Sequence, residues 1–124
     1  MSMAYSILTV DDHIVVRLGL SALLAEQEGF DVIGEAASAQ EAMKMIRIHQ
    51  PDVVLMDIHM PGKDGIEACK EIKETWPDIH VIMLTSYTEE KIRSEAMNAG
   101  ADGYVPKQVS CAELIRTIQH VCQR

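Results

Sequence analysis

Short aliphatic runs alternate with longer segments whose apolar residues recur at helical spacing, from one end of the chain to the other. The runs are YSILTV (5 to 10), FDVIGEA (30 to 36), DVVLM (52 to 56), HVIMLT (80 to 85) and GYVP (103 to 106). They are short and rich in Val, Ile and Leu, as parallel strands covered on both faces must be. Between them, 14 to 27 carries Val15, Leu18 and Leu23 at helical spacing and stops before Gly29, which suits a C-terminal cap. Segment 39 to 49 follows Ser38, has Glu41 three residues on, and ends before Pro51: a capping box at one end and a breaker at the other. A third helix, 65 to 75, closes at Trp76 and Pro77; a fourth follows Thr88 and stops at Gly100; a fifth opens on SCAE at 110 to 113. Five βα units with right-handed crossovers predict a doubly wound α/β open sheet, because a barrel needs more units than these. No Gly/Ser-rich linker or repeat interrupts 1 to 124, so one domain is expected.

Polar residues gather where the strands end. The first strand runs into Asp11 and Asp12, the third into Asp57, the fourth into Thr85 and Ser86, the fifth into Lys107. The second ends in Glu35-Ala36-Ala37 and offers no such cluster, as an outer strand would. In doubly wound sheets the crevice opens at the carboxyl ends of the strands, where the winding reverses, so these side chains are predicted to converge. Carboxylates packed there repel: a pair about 4 Å apart at an effective dielectric near 20 costs on the order of 4 kcal/mol. Lys107 offsets one charge, and an oxygen-rich site with few protein ligands suits Mg²⁺ for the rest. Zinc and copper fit poorly on spacing, since His13 and His59 lack a partner at ligand spacing and no Cys is near. Asp57 then serves either as a metal ligand alone or as ligand and nucleophile toward a phosphoryl group. In the second case Lys107 steadies the equatorial oxygens and the Thr85 hydroxyl bonds the phosphate.

DD after the first strand, MDIHMPGKDG around the third, TS after the fourth and a Lys after the fifth together resemble the receiver domain of two-component response regulators, over essentially the whole chain. The opening DDHIVVRLGLSALL is most similar to receivers of the NarL/FixJ (LuxR-type) transcription regulators. The resemblance implies a flavodoxin-like (βα)5 fold with strand order 2-1-3-4-5. It implies that Asp57 accepts a phosphoryl group from a sensor histidine kinase. By the same likeness Asp12 and Asp57 bind Mg²⁺ directly with the His59 backbone carbonyl, and Asp11 helps through water. Thr85 and Tyr104 match the switch pair, Lys107 the phosphate-pairing lysine, and Tyr87 would sit over the cleft and slow water's access. The switched surface is helix four, strand five and helix five, which would dimerise or release an output domain. Many receivers read Lys-Pro after the fifth strand, whereas here Pro106 precedes Lys107 and Gln108 follows, so a cis bond before Gln108 would go without proline's help. Pro106 also removes a donor, which should weaken pairing at the end of that strand.

Charge and composition narrow the partners. A net charge of −8 argues against a chain that itself grips nucleic acid, so DNA contact is expected only through a helix-turn-helix output domain outside these residues. No apolar run reaches membrane-spanning length and the N-terminus is not a leader, which points to a cytoplasmic protein with no membrane contact. The three cysteines are expected reduced and semi-buried, and the methionines, Met56, Met60 and Met83 among them, as core filler. Asp11 or Asp12 can also cap the first helix. Two rival functions remain. A phosphohydrolase of the haloacid dehalogenase type also uses an aspartate nucleophile, but Asp57-Ile58-His59 lacks the second aspartate of DxD. A docking receiver needing no phosphate would have no use for the acidic set. A switch rather than a turnover enzyme is the leading expectation.

Overall fold

A computed structural model describes residues 4–86, 89–107 and 111–123. Ten elements alternate in order: β1 (Tyr5–Val10), α1 (Ile14–Ala25), β2 (Phe30–Ala36), α2 (Ala39–His49), β3 (Val53–Asp57), α3 (Gly65–Thr75), β4 (His80–Thr85), α4 (Glu90–Asn98), β5 (Gly103–Pro106) and α5 (Cys111–Cys122). The strands form one parallel sheet in the order β2-β1-β3-β4-β5, the doubly wound arrangement predicted.

Strand alternation divides the interior in two. Leu8, Val10, Val54, Met56, Val81 and Met83 face one way, against Ala42 and Ile46 of α2, Ala68 and Ile72 of α3 and Ala96 of α4. Ile7, Val53, Leu55, Ile82, Leu84 and Val105 face the other way, against Leu24 of α1 and Leu114, Ile118 and Val121 of α5. Met56, Met60 and Met83 are all core residues. The caps are local and legible: the Ser38 hydroxyl accepts from the Glu41 N–H at 3.1 Å, and Asp64 accepts from the Glu67 N–H at 2.9 Å.

Several expectations are corrected. Val15 and Leu18 of α1 are 80% and 52% exposed, and the helix instead buries Ser21 and Leu24. IVVRLGLSALLA is apolar nearly all round, so spacing alone cannot choose its inner face. Neither Asp11 nor Asp12 caps α1: His13 holds the N-cap position without a side-chain cap bond. Gly29 lies beyond the α1 C-cap residue Glu26, in a left-handed conformation (φ 93°) just ahead of β2. Pro106 does not end the pairing of β5, because the Lys107 N–H donates to the Thr85 carbonyl at 2.8 Å and carries the ladder past the proline. All three cysteines are free, but Cys111 is exposed. Tyr87, Gln108 and the capping Ser110 lie outside the described residues.

β2 carries a bulge. Ile7 pairs with Val32 and Leu8 with Gly34, leaving Ile33 without an opposite residue on β1. Gly34 stands opposite the end of the Met45 side chain of α2, whose Cε would have to move aside for a Cβ.

Candidate functional site

The carboxyl ends of β1, β3, β4 and β5 meet at one edge of the sheet. Asp57 is the last residue of β3, and Asp11 directly follows β1; their side chains are 5% and 6% exposed. Lys107, directly after β5, places Nζ 3.0 Å from Asp11 Oδ2 and 3.3 Å from Asp57 Oδ1. Ninety-six residues separate Lys107 from Asp11, so only the strand order brings them together. Asp12 is partly exposed at the mouth, and Thr85 is fully buried at the end of β4. Its hydroxyl and Tyr104 of β5 share a side-chain hydrogen bond, with the tyrosine ring half-buried against the α2–α3–α4 core.

Comparison with known proteins agrees with this geometry. The family pattern of the response regulator receiver domain matches residues 7–119. The chain belongs to the response regulator receiver domains. It is similar to response regulator protein VraR of Staphylococcus epidermidis, 41% identical over 117 residues, covering 94% of this chain and 56% of that protein. It is likewise similar to the DNA-binding transcriptional activator DevR/DosR of Mycobacterium tuberculosis, 43% identical over 112 residues, 90% of this chain and 52% of the other. A crystal structure of a LuxR-family two-component response regulator from Aurantimonas sp. superposes with a TM-score of 0.93 at 36% identity, covering 97% of this chain and 86% of that one. The chain spans about half the length of the curated relatives it matches.

Within the receiver, burial sets the electrostatics. Desolvation lifts the Asp57 carboxyl above its ordinary value; the Lys107 charge opposes this, the Asp11 charge adds to it, and hydrogen bonds from Lys107 and the His59 main-chain N–H pull it back. Burial alone would lower the Lys107 ammonium, but its hydrogen bond to Asp11 and the charges of Asp57 and Asp11 outweigh this and leave it raised. The cleft therefore holds more negative charge than its one lysine neutralises. Asp12 Oδ1 is buried without a hydrogen-bond partner among the described residues, a polar atom that a cation would satisfy. Ligand atoms of Asp11, Asp12, His13 and Asp57 lie within 4.8 Å of one another, so the donor set fits a single divalent ion.

Three participants escape sequence reasoning. Arg17 of α1 donates from Nε to Glu35 of β2 at 3.0 Å and from Nη1 to the Asp11 main-chain carbonyl at 2.7 Å. Glu35 therefore supports the cleft through Arg17, although its strand ends in no polar cluster of the kind the other strands carry. A signal existed: Arg17 is the only Lys or Arg before Lys44, and it is the one charged residue of α1. The third is His13. Set aside for want of a His or Cys partner, its ring stands beside the carboxylates, Nδ1 at 3.1 Å from Asp11 Oδ1 and 3.2 Å from Asp12 Oδ1. The remaining buried thiol is inert, since burial pushes Cys69 up to about 11.

Proposed function

We propose that Asp57 is the phosphoacceptor of a phosphorylation-driven switch, loaded by the phosphohistidine of a sensor kinase. The observation that carries the reading is the position of Lys107 Nζ between two nearly buried carboxylates, 3.0 Å from Asp11 and 3.3 Å from Asp57. An Asp57 oxygen attacks phosphorus, the P–N bond to the donor imidazole breaks, and that imidazole leaves with the bond's electron pair and takes up a proton. Lys107 is already beside the attacked group and can hold one equatorial oxygen without reorganisation. Mg²⁺, held by Asp12, Asp57 and the His59 carbonyl with Asp11 helping through water, would supply charge neutralisation for the transferred phosphoryl group. The fit of that ion is supported by Asp12 Oδ1, a buried oxygen that accepts no hydrogen bond among the described residues.

Thr85 and Tyr104 are the readout in this proposal. The phosphoryl group draws the Thr85 hydroxyl from Tyr104, its present partner, and the tyrosine follows into the vacated space. The surface of α4, β5 and α5 then changes, and both arrangements pre-exist in an equilibrium that phosphate biases. Similarity to DNA-binding activators supports transcriptional output, through dimerisation or release of a DNA-binding domain outside these residues. The reading places the protein in the cytoplasm; among the described residues no helix is long and apolar enough to cross a membrane.

Incubation with a small phosphodonor and Mg²⁺, followed by intact-mass measurement, tests this. A stoichiometric gain of one phosphoryl group, slowly lost and absent in Asp57→Asn, is expected. Multiple turnover of the donor would instead make the protein a hydrolase, and no gain at all would leave a docking module.

A further inference from the structure

A second concavity lies between α2 and the loop that leads from β3 into α3, and it shares no residue with the acidic cleft. Its volume is about 520 Å³, the size of a small-ligand site. Buried Ala39 and half-buried Met43 line its inner part, while Lys44, Arg47, Pro61 and Lys63 stand exposed around its mouth. The chain as a whole has 19 acids and 11 bases, yet this lining holds three bases and one acid, Glu71. The local sign is therefore opposite to that of the molecule. Lys63 is hydrogen-bonded to Glu71 of α3, which holds it beside the loop and leaves further N–H donors on its ammonium. Lys44 and Arg47 have no ion-pair partner among the described residues. They stand three residues apart on α2, close enough to repel each other, and an anion between them would relieve that repulsion.

We propose that this concavity binds a small organic phosphate: a phosphate monoester on a body of about nucleoside size. The planar fork of Arg47 suits two phosphate oxygens at once, and Lys44 and Lys63 add point charges to the same group. A phosphate monoester carries close to two negative charges at neutral pH, which matches the local surplus of bases over Glu71. Ala39, Met43 and Pro61 give the organic body an apolar wall that a bare phosphate ion has no use for. An acidic peptide would meet the same charges, but an enclosed volume of this size favours a single small molecule over an extended chain. The inference needs neither Mg²⁺ nor phosphorylation of Asp57, so it stands apart from the proposed function.

The probe is adenosine 5′-monophosphate, titrated into the full chain in metal-free buffer by calorimetry and by amide chemical-shift mapping, with adenosine and inorganic phosphate as controls. Saturable binding is expected, tighter than either control, weakened by added salt, and with shifts centred on residues 39 to 47 and 61 to 63. Lys44→Gln and Arg47→Gln keep a good helix former at each exposed position and should leave the melting temperature nearly unchanged. Each should weaken the nucleotide roughly tenfold, the worth of one lost charge-assisted hydrogen bond. No saturable binding, binding indifferent to both substitutions, inorganic phosphate as tight as the nucleotide, or shifts centred elsewhere would each overturn the proposal. Octaglutamate binding the same residues more tightly than the nucleotide would also overturn it, making the concavity a protein-docking surface. A chain that takes no phosphoryl group on Asp57 yet binds the nucleotide here would sink the switch and keep this inference; the converse result would do the opposite.

Discussion

Arg17 Nη1 donates to the main-chain carbonyl of Asp11 at 2.7 Å, tying the first turn of α1 to the loop that carries two of the cleft's acids. Its Nε holds Glu35 of β2, so one guanidinium grips three consecutive elements. With only 14% of the side chain exposed, this grip is not a screened surface pair. Arg17→Met should lower stability by about 1–3 kcal/mol, read from the urea midpoint, and weaken Mg²⁺ binding because the loop loses its anchor. Arg17→Lys should recover only part of both, since an ammonium lacks the fork that makes two directed bonds. An unchanged midpoint in Arg17→Met would contradict the assignment.

Asp57 is expected to cost stability until a cation arrives. Burial raises its folded value above the unfolded one, so the unfolded carboxyl ionises first as pH climbs. Folding therefore loses stability from about pH 3.9 upward, and the loss is complete once the folded group also ionises. In metal-free buffer Asp57→Asn should melt higher than the parent at pH 7, with the gap closing as pH falls below about 4. Added Mg²⁺ should stabilise the parent, by about 2.7 kcal/mol at a hundred times the dissociation constant, and the variant much less. Thermal melts at two pH values with and without Mg²⁺ decide it; a less stable metal-free variant would refute the argument.

Removing the cleft's own cation should do the reverse. Lys107→Met leaves Asp11 and Asp57 nearly buried without their shared partner, a loss of up to about 3 kcal/mol at pH 7. The raised Lys107 value means its stabilisation is full below the ordinary lysine range and fades above about pH 10.4. The parent should accordingly begin to lose this stability between about pH 10.4 and 11, while the variant has none of it to lose. Urea midpoints at pH 7 and 11 measure the difference.

Gly65 is needed for space. A Cβ there would overlap the Asp57 carbonyl oxygen and come within 2.9 Å of Ile58 Cα and Met83 Cε, with backbone on one side and a filled core on the other. Gly65→Ala should destabilise by about 1–3 kcal/mol and displace the turn after β3, which chemical denaturation and a change in Mg²⁺ affinity would register. Gly62 stands in open space, and its left-handed backbone (φ 81°) is the requirement there.

Local chemistry determined much of this protein in advance. Alternating aliphatic runs set five strands, Ser38 with Glu41 set the start of α2, and five βα units with one permitted handedness left the open sheet as the arrangement. Strand ends, too, are one-dimensional features, so Asp11, Asp12, Asp57, Thr85 and Lys107 could be named as candidates before any coordinate. What only the tertiary structure decided is the distances and side-chain contacts between distant segments. The separation of Lys107 from Asp11 depends on β1, β3, β4 and β5 lying in sequence across the sheet. The inner face of α1 depends on which side chains the sheet can accept, because a helix apolar all round has no preferred face of its own. The roles of Arg17, Glu35 and His13 are set by side chains meeting across loops, and no periodicity records that. Secondary structure follows from interactions a few residues apart and is written along the chain, whereas a charge cluster is made by packing and exists only once the sheet has closed.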